Sequence, residues 1–150
     1  MLIADLTVTA LLAGFFYAFS CAAMPGLSRV NDRVFVSSMV SINDAVRNPL
    51  FALGFYGPFV FGIAVLVPSA GSGAPYLPAV VLSFILYLAS LAITFTRNIP
   101  LNIALEREAG RDVEEARRRF EGPWNRANAL RFLTSTAAVV ALAVALVQAG

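Results

Sequence analysis

The chain has no histidine, no lysine and a single cysteine among its 150 residues. The missing histidines remove the commonest ligand for haem, zinc, copper and non-haem iron. Cys21, alone and inside the first apolar run, can make neither an internal disulfide nor a cysteine-based metal site. A metal oxygenase is therefore not expected. Charge is scarce as well: 13% of residues are charged, against roughly 25% in a soluble domain.

What remains is apolar. Hydrophobic residues make up 59% of the chain and mean hydropathy is +0.76. Four runs, at about 3–24, 50–68, 76–96 and 129–148, reach the length of about 20 residues that crosses a bilayer as a helix. The expected fold is all-α: an integral membrane four-helix bundle, one four-span domain over 1–150, with cytoplasmic amphipathic helices between spans one and two and between spans three and four. The first run is not expected to be a cleaved signal, because MLIAD lacks a basic residue and carries Asp5.

All eleven basic residues are arginines, and all fall in the two longer connections or at their edges. The SAGSGAP link between spans two and three has no charge. By the positive-inside rule the Arg-bearing loops are cytoplasmic and both termini outside. Arginine usage points to a bacterial inner membrane as the location.

In span one Ala10, Gly14, Ala18 and Ala22 recur every four residues, a small-residue face that serves either a homo-oligomer or packing within the chain. Tyr17 and Cys21 lie beside it, and Pro25 with Gly26 is expected to stop the helix. The segment from Arg29 to Asn48 is too polar to span and reads as a helix under the membrane with Val34, Met39 and Ile42 as apolar contacts. Pro49 then starts span two. Between spans three and four, Ala109, Val113, Ala116 and Phe120 mark the apolar side of a water-facing helix, with Glu114–Arg118 and Glu115–Arg119 as i,i+4 pairs. Nothing in the chain points to nucleic acid.

On span three, Ser83, Tyr87, Ser90, Thr94 and Arg97 form one helical stripe, read either as interhelical hydrogen bonding or as the polar wall of a cavity. All seven asparagines lie in the connections or at the ends of spans. RNPL at 47–50 and RNIPL at 97–101 should be neighbours, with TFTRNIPLN opened as a broken helix to floor a pocket. Trp124, Asn128, Arg131 and Ser135 form a stripe entering span four. An Arg at this depth costs about 3 kcal/mol or more unless paired or wet, and Asp44 is the acid this reasoning places near it. A buried network of Asp44, Arg47, Arg97 and Arg131 is expected, rich in cations and suited to a ligand oxyanion. Simple helix capping and snorkelling is the competing account of the same residues.

GFFYAFSCAAMPGL, NDAVRNP, RNIPLN and WNRANALR together resemble, over nearly the whole chain, the anthrone-oxygenase-like integral membrane family, long described only as a domain of unknown function. The resemblance implies oxidation of an anthrone to an anthraquinone with no metal or organic cofactor, and it maps onto Asn43, Asn48, Pro49, Arg97, Asn98, Pro100, Asn102, Trp124, Asn128 and Arg131. It brings no established base. Chemistry makes Asp44 the candidate base, with Tyr17 or Tyr87 second. Arg97, Asn98 and Arg131 are candidate oxyanion partners and Trp124 a wall for a flat ring. Asn43, Arg47, Asn48, Asn102, Asn128 and Thr94 complete the expected substrate contacts. The expected partners are the bilayer and a hydrophobic small molecule or lipid. The alternative is a non-enzymatic membrane module that binds a lipid or hydrophobe, or assists assembly of a partner, through the same pocket.

Overall fold

The computed structural model describes residues 1–150 and is helical throughout. Helix α1 (Leu2–Ala18) runs through a π turn (Phe19–Ala23) into the short α2 (Met24–Leu27). Asn31 caps α3 (Asp32–Ala45), accepting from the Val34 amide at 3.0 Å. Asn48 caps α4 (Pro49–Ser69) in the same way through the Phe51 amide at 2.9 Å, and Pro49 occupies the first turn, where a missing N–H leaves no bond unmade. Gly71 and Gly73, at φ of +79° and +68°, turn the chain into α5 (Leu77–Ile93), a conformation glycine adopts without penalty. A second π turn (Thr94–Asn98) leads into α6 (Ile99–Glu108), and α7 (Val113–Ala149) closes the fold.

Four continuous helical segments, Leu2–Leu27, Pro49–Ser69, Leu77–Glu108 and Val113–Ala149, are long and apolar enough to cross a membrane. The protein is an integral membrane helical bundle. Within it α1 packs on α4 and α7, and α5 packs on α4 and α7, so the four long helices form a ring. Two glycines permit the close approaches. A Cβ on Gly57 would meet Val8 side-chain carbons at 3.2 Å, and one on Gly62 would meet Phe84 Cδ2 at 2.7 Å. Near Gly62 lies Asp5, a buried carboxylate whose Oδ1 accepts from Thr9 at 3.4 Å.

A second core lies at the arginine-rich end. There α3 packs on α6 and α7, burying Phe35, Val36 and Met39 against Leu105, Ala116 and Phe120. Arg117 fastens the preceding turn, donating to the Ser28 and Val30 carbonyls at 3.1 and 2.8 Å and to Asp32 at 2.9 Å. Its Nε donates to Glu121 at 2.8 Å and its guanidinium lies 4.5 Å from the Phe35 ring centroid. Glu115 pairs with both Arg118 and Arg119, which replaces the expected Glu114–Arg118 pair.

Span one ends at MPGL as expected, with Leu27, one residue past Gly26, as its last helical residue. Two expectations are corrected. Span three continues to Glu108 with no break at RNIPLN. Each π turn ends two residues before a proline, Pro25 or Pro100. A proline ring collides with the carbonyl four residues earlier; that carbonyl, of Cys21 or Thr96, lies inside the widened turn, so the helix absorbs the proline instead of ending. The aqueous helix and span four are also one helix, with Pro123 inside it. Of the two uses left open for the Ala10, Gly14, Ala18 and Ala22 face, packing within the chain is not the one seen: the face points outward, and α1 uses Val8, Leu12 and Phe16 for its internal packing.

Candidate functional site

Between α1, the α3–α4 junction, the second π turn, α6 and α7 lies a cavity of about 700 Å³, within the range of small-molecule sites. Its walls are aromatic: Phe15, Phe19, Phe51, Phe55, Tyr56, Phe95 and Trp124. At its buried end are Thr94, Asn98, Trp124 and Arg131; at its exposed end are Asn48, Arg47 and Glu106. Asn43 and Asn102 also line it.

Asn98 is 1% exposed, yet neither its Nδ2 nor its Oδ1 has a hydrogen-bond partner. Leaving such a group unpaired costs about 1–3 kcal/mol. Arg131 is nearly as buried. One terminal nitrogen donates to Asn128 Oδ1 at 2.8 Å, while Nε is unpaired. The guanidinium lies 4.2 Å from the Phe16 ring centroid and 5.4 Å from that of Trp124. The ion pairs of the protein use Arg47, Arg117, Arg118 and Arg119; none uses Arg131. A buried cation is thus held by neutral groups alone, next to an amide that offers a donor and an acceptor.

The supports of this pair are well defined. Asn128 donates to the Phe16 carbonyl at 3.0 Å and to Ser20 Oγ at 2.9 Å, so its oxygen is turned toward Arg131. It positions the arginine without lining the cavity. Trp124 Nε1 donates to Asn102 Oδ1 at 2.9 Å, tying α7 to α6. Deeper in the bundle Ser90 meets Ser135 at 3.1 Å, and Thr94 Oγ1 donates to the Ser90 carbonyl at 2.9 Å.

Of the expected site residues, Asn43, Arg47, Asn48, Thr94, Asn98, Asn102, Trp124 and Arg131 line the cavity together. The expected buried network of Asp44, Arg47, Arg97 and Arg131 does not form. Asp44 and Arg47 are paired at 3.3 Å but both side chains are 65% exposed, because α3 turns Ile42, Asn43 and Val46 to the cavity and Asp44 away. Arg97 is exposed and off the lining. An α-helical step from Thr94 reaches Arg97, but the π turn holds an extra residue and brings Asn98 to the inner face instead. Tyr17 is on the outside against Phe132, with ring centroids 5.4 Å apart. The Tyr87 hydroxyl is committed to the Phe55 carbonyl at 2.9 Å. Glu106, the one carboxylate on the lining, and the phenylalanine walls were not anticipated. Asn98, Asn102 and Glu106 recur every four residues, a spacing that could have pointed to Glu106.

No curated protein and no solved structure matches the chain. The family model described as anthrone oxygenase matches residues 48–141. That stretch holds the α4 cap, the π turn with Asn98, all of α6 and the Trp124 to Arg131 face of α7, and by it the chain belongs to the anthrone oxygenase family.

Proposed function

We propose that the protein is a cofactor-independent oxygenase of hydrophobic aromatic ketones of the anthrone type. The observation that carries this reading is the pair of unpaired polar groups, the Asn98 amide and Arg131 Nε, at the buried end of an aromatic-walled cavity. A flat ring system fits against Phe19 and Trp124, and its carbonyl oxygen would meet the amide and guanidinium where negative charge develops.

An anthrone methylene is a weak carbon acid, activated by the ring system and its carbonyl. Removing one proton leaves an electron-rich anion that passes electrons to dioxygen directly. In the full reaction the methylene loses two hydrogens and gains one oxygen. The second oxygen atom of O2 leaves as water with those two hydrogens. Glu106 takes the role of proton acceptor in this scheme in place of Asp44, because it is the carboxylate on the cavity lining. Asn98 and Arg131 stabilise the oxyanion.

The arginine-rich end is the cytoplasmic one in this reading, by the positive-inside rule, and the membrane is a bacterial inner membrane. The test is oxygen uptake by the purified, metal-stripped protein in detergent with emodin anthrone. Uptake above the spontaneous rate, lost in Asn98→Ala, Arg131→Gln and Glu106→Gln, is expected. Tight binding of the anthrone without uptake would overturn the oxygenase and leave a hydrophobe-binding module; uptake retained in all three variants would remove this cavity from the chemistry.

A further inference from the structure

The cavity has two edges of different character. On the side facing the aqueous end, Arg47 reaches from the α3–α4 junction to Glu106 of α6 at 3.6 Å, spanning the opening with charge. On the other side the edge is apolar. Tyr56 of α4 and Phe95 and Ile103 of the π turn and α6 line the cavity and are nevertheless 53%, 48% and 41% exposed. They face the interior and the surroundings at once, as residues on the rim of an opening do.

The packing explains the gap. Helix α4 lies against α1 and α5, whereas the π turn packs on α5, α6 and α7, and α6 on α3 and α7. The first turns of α4 and the start of α6 therefore diverge. Across the upper end of the gap the Phe55 and Phe95 rings meet edge to face at 6.2 Å. Tyr56 is seven residues beyond Pro49, hence about 10 Å along the helix from the start of the span. In a hydrocarbon core about 30 Å thick, that level is among acyl chains rather than at the water boundary.

We propose that the cavity is loaded from the bilayer, through this gap between α4 and the π turn, by a ring-bearing hydrophobic molecule dissolved in the lipid. Its apolar body slides past Tyr56 and Phe95, and its one polar group is captured by Asn98 and Arg131. Until a ligand arrives, an acyl chain occupies the gap. The inference stands on the shape of the cavity and is independent of the oxidation proposed above: absence of oxygen uptake leaves it intact, and its own failure leaves an oxygenase filled from water.

Trp124 provides the measurement. It is the only tryptophan, it lines the cavity and it is 4% exposed. The full chain is reconstituted in phosphatidylcholine vesicles brominated in the middle of the acyl chains, and its emission is compared with that in unbrominated vesicles. Marked loss of emission is expected with the brominated lipid, with a smaller loss on adding iodide to the water. Ala52→Phe, which narrows the gap from α4, and Ile103→Phe, which narrows it from α6, should each restore emission; either one that folds suffices. Unchanged emission in brominated vesicles overturns the proposal, as does a larger loss with iodide. Quenching that neither filling variant relieves also overturns it, since bromine would then be acting through the outer wall.

Discussion

The guanidinium of Arg131 lies over the ring of Phe16, 4.2 Å from its centroid, with the oxygen of Asn128 as its hydrogen-bonding acceptor. A cation–π contact of this kind is worth about 2 kcal/mol or more when desolvated, too little to match removal of a charge from water. The site is therefore electrically incomplete without a ligand. A molecule that brings an oxyanion, or develops one, completes it.

Asn98 gives the first test of that incompleteness. Asn98→Leu keeps the volume and removes two buried unpaired polar atoms, so the ligand-free protein should gain roughly 1–3 kcal/mol of stability. Binding of an anthrone should weaken at least tenfold. Thermal unfolding in detergent and ligand titration of the same preparation measure both. A variant that loses stability would mean that Asn98 has a partner in the folded protein.

Substitutions outside the cavity and at its buried end should separate. Asp44→Asn and Arg97→Ala alter exposed side chains off the lining and should leave oxygen uptake near that of the parent. Arg131→Lys keeps the charge but loses the planar fork that fits between Phe16 and Asn128, and uptake should fall by an order of magnitude or more. Equal loss in Asp44→Asn and Arg131→Lys would return Asp44 to the chemistry.

Glycine tolerance along α4 should follow the packing. Gly62→Ala puts a methyl 2.7 Å from Phe84 and should destabilise by about 1–3 kcal/mol, as overpacking does. Gly54→Ala meets no atom within 4 Å and should be neutral or stabilising by up to about 1 kcal/mol, the helix-propensity gain. Melting temperatures of the two variants in one detergent should differ in this order.

Arg117 holds the turn before α3 from the side of α7. Arg117→Ala removes hydrogen bonds made by a charged group and should destabilise by roughly 1.5–3 kcal/mol. The looser turn should show first in limited trypsin digestion, as faster cleavage after Arg29 and Arg33. Digestion at the parent rate would show that the Phe35 and Met39 packing holds this turn without it.

The spans were legible in the sequence because apolar length alone decides whether a helix can cross a bilayer. The end of span three and the start of span four were not, since amphipathic helices in water continue the same backbone there and only the change of composition shows in the sequence. The arginine-rich end and the Trp124, Asn128, Arg131, Ser135 face of α7 were also legible, because a straight α-helix repeats faithfully. Where the helix departs from that repeat the stripe led from Thr94 to Arg97, which is off the lining, although Asn98 was named beside it. Asp44 failed for a different reason: a spacing argument gives the face of a helix but not the direction in which α3 lies. The phenylalanines of α1 and α4 carried no signal in a chain where most residues are apolar, and only the fold distinguishes a cavity wall from a lipid-facing surface.

The pairing of each π turn with a proline two residues later makes Pro100 a remote determinant of the cavity. By helix propensity alone, Pro100→Ala looks like an improvement. Without the ring, the turn at Thr94–Asn98 is free to relax to α geometry, and the rotational phase of everything after it shifts. Asn98, Asn102 and Glu106 would swing off the cavity together while each remains chemically intact. In this chain a lesion that removes no polar atom and touches no ligand would therefore strip the cavity of these polar groups.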